Sequence, residues 1–65
     1  MEYTNSQMIL LIREHLHSER DRMILHDRLI NGMVIERLAE KYDLSVRQVK
    51  NIIYKNEKIL FSKLP

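Results

Sequence analysis

Apolar residues recur along this chain at three- and four-residue spacings, and no stretch holds the period-two alternation of a half-buried strand. Four helices are therefore expected. Thr4 with Gln7, and Ser45 with Gln48, fit capping boxes, while Ser18 with Asp21 is a looser version of the same start signal. These signals predict a first helix over 5–17, a second over 19–31 and a fourth beginning at residue 46. Gly32 supplies the left-handed residue that ends the second helix. A third helix follows over 34–41, with Asp43-Leu44 as the turn after it. The fourth runs at least to Lys55 and extends to about Ser62, because no breaker intervenes before Pro65.

Rotation by about 100° per residue sorts the faces. On the first helix Met8, Leu11, Ile12 and Leu16 share one arc, Ile9 lies at its edge and Leu10 points away. The second carries Leu25 and Leu29 on one side, Met23 and Ile30 on another, with Ile24 also apolar. A helix apolar all round is expected at the centre, covered by neighbours on both sides. The fourth turns Val46, Val49, Ile52, Ile53 and Leu60 inward. Its opposite side holds Arg47, Lys50, Asn51, Tyr54 and Lys58, with no acid among them. Asn56 falls on the inner row, so either the helix ends or bends there or the amide finds a partner at the edge of the core.

The stretch 34–55 has the residue pattern of a DNA-binding helix-turn-helix. Leu38, Tyr42, Leu44, Val49 and Ile52 fall where two such helices must touch, and the small Ala39 sits where the second crosses close over the first. Ser45 opens the second helix, which presents Arg47, Gln48, Lys50 and Asn51 outward.

At 65 residues the chain is read as one domain, 1–65, burying about 60% of its unfolded surface. It has no cysteine, so neither disulfides nor a thiolate zinc site can staple it. Charge is divided unevenly. Residues 1–44 hold six Lys/Arg against eight Asp/Glu, a net of −2, whereas residues 45–65 hold five against one, a net of +4. Positive charge on the last helix and tail suggests a polyanionic partner. The longest apolar run, 8–12, is too short to span a bilayer and lacks the flanks of a signal peptide, so a cytoplasmic, membrane-free protein is expected.

His15 and His17 point in nearly opposite directions, and His26 does not share a face with Asp27. No metal site and no cofactor are expected. No nucleophile, base and orienting acid fall together and no glycine-rich phosphate loop exists, so no catalytic residue is assigned and the chain is not read as an enzyme.

The stretch 19–53 resembles region 4 of bacterial sigma factors. Arg-Asp-Arg-Met-Ile-Leu-His-Asp-Arg-Leu-Ile-Asn-Gly over 20–32 and Ile-Glu-Arg-Leu-Ala-Glu-Lys-Tyr-Asp-Leu-Ser-Val-Arg-Gln-Val-Lys-Asn-Ile over 35–52 carry the likeness. LuxR-type response-regulator domains share much of this pattern. The resemblance implies an all-α, four-helix helix-turn-helix domain of the sigma region 4 type, whose last helix is the recognition helix, 45–56. Val34 departs from it, since a Ser or Thr usually caps the helix after the glycine. A chain this short has no room for the other sigma-factor domains, so it is expected to be a region 4-like module used alone.

In such a module Arg47 can pair with guanine, and Gln48 or Asn51 with adenine. Lys50 serves either base or phosphate, while Tyr54, Lys55 and Lys58 are placed for the phosphate backbone. The function expected is a small sequence-specific regulator of transcription reading double-stranded DNA in the major groove. An accessory protein of a mobile element or phage would use the same DNA chemistry. One such module makes few contacts, so a homodimer on paired half-sites or a protein partner is expected; Ile9 and Leu10, or the segment 59–64, are the candidate apolar faces, unless they simply complete the core. The alternative is a protein-interaction adaptor that mimics sigma region 4 and binds RNA polymerase or an anti-sigma partner.

Overall fold

The computed structural model describes residues 4–63; Leu64, at the end of the apolar tail segment, lies outside them. Four helices follow one another: α1 (Asn5–His15), α2 (Glu19–Leu29), α3 (Ile35–Tyr42) and α4 (Val46–Ser62). The described residues hold no strand.

The helix starts follow the local chemistry closely. Thr4 Oγ1 accepts from the Gln7 amide at 3.2 Å while Gln7 Oε1 accepts from the Thr4 amide at 2.8 Å. Ser45 and Gln48 repeat this reciprocal pair at 3.1 and 2.9 Å. Ser18 caps α2 by accepting from the Asp21 amide. Val34 offers α3 no side-chain cap, and α3 begins one residue later than expected, at Ile35.

The ends moved more. α1 stops at His15 rather than at residue 17, because Leu16 turns into extended conformation and sinks into the core. Arg22 of α2 then caps the freed carbonyls, its Nε donating to Leu16 O and its Nη2 to Arg13 O at 2.9 Å. α2 stops at Leu29 rather than at 31: the Met33 amide closes back on Asp27 O at 3.0 Å, and Gly32 takes φ +68°. α3 runs one residue past its expected end, to Tyr42, and closes with Asp43 left-handed at φ 54°. The Leu44 amide donates to Ala39 O at 2.9 Å, a Schellman closure that swings Leu44 onto the core.

One hydrophobic cluster joins the helices. Ile12, Leu16, Ile24, Leu25, Leu38, Val49, Ile53 and Leu60 are buried in it, with Ala39 beside them at the α3–α4 crossing. α2 and α4 each pack against all three other helices, whereas α1 and α3 do not meet. The expected cover on both sides of α2 is therefore incomplete. Ile24 and Leu25 are buried, but Met23 remains 47% exposed in the gap between α1 and α3. Val46, expected inward, is half exposed at the start of α4.

Asn56 settles the question its position raised. α4 continues straight through it to Ser62, and its amide is buried, donating to Asp21 Oδ2 at 3.1 Å and to Ile52 O at 2.8 Å. A buried amide without such partners would cost about 1–3 kcal/mol. Here the bond ties the middle of α4 to the first turn of α2.

Candidate functional site

α4 is 17 residues long, about 25 Å at the usual rise per residue. Its inner row is Val49, Ile53, Asn56 and Leu60, all buried, with Ile52 half-buried beside it. The helix is thus held rigidly along most of its length. Arg47, Gln48, Lys50, Asn51, Tyr54, Lys55 and Lys58 are all exposed.

Those seven side chains fall into two kinds. Gln48 is engaged by the fold, as the reciprocal partner of the Ser45 cap. Among the described residues, the side chains of the other six form no hydrogen bond or ion pair within the chain. Four of those six are cations, and Tyr54 stands 61% exposed among them. Glu57, the one acid of α4, is half-buried towards the inner side. The result is a basic helical face whose hydrogen-bond donors point to solvent.

α3 and the turn orient this face. Leu38 and Ala39 are buried, and Tyr42 and Leu44 pack half-buried against the same cluster. Tyr42, expected simply to fill space, also carries chemistry. Its hydroxyl donates to Asp27 Oδ2 at 2.5 Å, and Lys41 Nζ donates to the same oxygen at 2.7 Å. Asn31 Nδ2 donates to the other carboxylate oxygen at 3.1 Å.

Asp27 is buried. Burial pushes its carboxyl upward, but the bonds from Lys41, Tyr42 and Asn31 outweigh that and hold it below the usual 3.8. The Asp27 carboxylate raises Lys41 above 10.5. Burial, then the same carboxylate, raises the Tyr42 phenol above 10.0. This clamp fastens the end of α3 to α2, and with it the start of α4. Sequence reasoning missed it. The available signal was an acid between Ile24 and Ile30 on the inward arc of α2, with Asn31 one turn on.

The two residues expected to mediate self-association part company. Ile9 is half-buried, whereas Leu10 is 54% exposed. In the tail, Leu60 is fully buried and Phe61 is 47% exposed. Among the described residues no helix is long and apolar enough to cross a membrane, and no three His, Asp or Glu side chains gather as a metal site would require.

Comparison of the chain with protein-family models, with curated proteins and with solved structures found no match.

Proposed function

We propose that this protein is a small double-stranded DNA-binding regulator of transcription. In this reading α3, the Asp43–Leu44 turn and α4 act as a helix-turn-helix of the sigma region 4 type. The observation that carries the proposal is the outer face of α4: six polar side chains, four of them cationic, none engaged among the described residues.

The first turns of a helix presented in this way can enter a major groove. Arg47 and Asn51 then lie one turn apart on the same side and offer the donor patterns that guanine and adenine accept. Gln48 is better assigned to its cap, with its remaining amide hydrogens available to a base edge. Beyond two turns a straight helix leaves the curved groove. Tyr54, Lys55 and Lys58 therefore serve the phosphate backbone, where they set register and affinity rather than sequence. The clamp on Asp27 supports the same reading, because a recognition helix must be held at a fixed angle to the rest of the domain.

Titration with random duplex DNA at two salt concentrations tests the proposal. Binding should fall steeply with salt, and the slope should flatten by about one for each phosphate-contacting cation removed, as in Lys50→Ala. Arg47→Ala should in addition relax sequence preference, at about 1–3 kcal/mol for a base contact. Absence of binding at low salt, together with a stable complex on RNA polymerase or a sigma factor, would replace this reading with that of a protein-binding adaptor.

A further inference from the structure

α1 and α3 both lie on α2 without meeting each other, and the gap between them is a cleft of about 390 Å³. That volume lies in the range of sites that accept a ligand or a few large side chains. Ile9 and Ile12 of α1 and Met23 of α2 give it an apolar lining. Met23 belongs to the second apolar side of α2, which the four helices leave partly open.

Three cations and one acid line the cleft. Arg13 and Arg22 stand on its α1–α2 rim, and Lys41 on the side of α3. The acid in the lining, Asp27, has both carboxylate oxygens accepting from Lys41, Tyr42 and Asn31. Among the described residues Arg22 bonds only carbonyl oxygens and forms no ion pair, and Arg13's guanidinium makes no bond. No residue of α4 lines the cleft.

We propose that this cleft is a docking groove for an acidic amphipathic helix of another protein. Its apolar side chains would rest on Ile9, Ile12 and Met23, and its carboxylates would face Arg13 and Arg22. An apolar stripe on a docked helix suits a groove bounded by two helices, and the flanking charge selects acidic over basic partners. Because α4 takes no part, the chain can hold such a partner and a polyanion on α4 at once.

Two labelled synthetic helices of about four turns test this, both with leucines at i, i+3, i+4 and i+7. One carries glutamates elsewhere and the other carries lysines. Fluorescence anisotropy should show saturable binding of the glutamate helix and none of the lysine helix. Met23→Glu and Arg13→Glu should each weaken binding about tenfold or more, the size of one good interface contact. Both side chains are exposed and unbonded, so circular dichroism should show both variants folded; should one unfold, the other decides. Failure of the glutamate helix to bind, equal binding of the two helices, or binding unchanged in both variants would overturn the proposal. Sedimentation showing a dimer that Met23→Glu dissolves would assign the groove to a second copy of the chain instead. None of these outcomes bears on α4, so the groove can fail while the DNA reading stands, and the reverse.

Discussion

Two polar regions of this small domain behave in opposite ways. Around Asp27, both carboxylate oxygens are used within the chain: a buried carboxylate takes hydrogens from Lys41, Tyr42 and Asn31. On the outer face of α4, four cations, an amide and a phenol use none of theirs among the described residues. The same residue types thus serve structure in one place and stand free in the other. Burial separates them, since a polar group removed from water must find its partner inside the fold. A solvated group can keep its hydrogen bonds for something that arrives later. Asn56 makes the point within a single helix. One turn of α4 holds Asn51 free in solvent, and the inner row holds Asn56 bonded to Asp21 and Ile52.

The comparison can be broken most severely from the inner face of α4. Ile53→Ala removes a fully buried side chain and should destabilise the domain by about 3 kcal/mol. A domain of this size holds only roughly 3–5 kcal/mol, so a urea titration followed by circular dichroism should find much of the variant unfolded.

Asp27→Asn probes the clamp while keeping its shape. It should cost about 2 kcal/mol, the worth of hydrogen bonds to a charged group. It should also change the dependence on pH. The Asp27 carboxyl lies below its ordinary value when folded, so its contribution is present above about pH 4 and is lost as pH falls. Lys41 and Tyr42 lie above theirs, so their contributions are present below about pH 10 and are lost as pH rises. Melting temperature should therefore hold a plateau at neutral pH with a shoulder on each side. The variant should lower the plateau and flatten both shoulders; a variant with both shoulders intact would place the titrating groups elsewhere.

A smaller gain is available at the start of α3. Val34 is exposed and caps nothing, so Val34→Ser forfeits little packing and should stabilise the domain by about 1 kcal/mol. A rise of several degrees in melting temperature would show it. The smallest effect on stability should come from the outer face. The pair Arg47→Ala and Lys50→Ala should leave stability within about 0.5 kcal/mol, even where DNA affinity falls. Loss of fold in that pair would mean these cations have partners after all.

Much of the fold is legible along the chain because its signals act over a single turn. Thr4 with Gln7, Ser18 with Asp21 and Ser45 with Gln48 mark three helix starts that α1, α2 and α4 use. Asp43-Leu44 makes the turn where the pattern places it. Helix ends depend on more distant groups. Leu16 leaves α1 early because the core claims its side chain and Arg22, six residues on, caps the carbonyl it exposes. The exposed polar residues of α4 and the inward place of Asn56 followed from periodicity, whereas the partners of the buried polar groups did not. Asp27 reaches partners fourteen and fifteen residues away, and Asn56 reaches one thirty-five residues away.

By itself the sequence determined that this protein is helical, where three of its helices begin, how α3 turns into α4, and which side of α4 carries positive charge. Each of these rests on spacings of three or four residues, over which backbone geometry is already set. Only the tertiary structure decided that Asp27 clamps α3 to α2, that Asn56 holds α4 to Asp21, and that α1 and α3 stand apart to leave a cleft over Met23. Those outcomes depend on how whole helices cross, and crossing is fixed by side chains that meet only after the chain has folded.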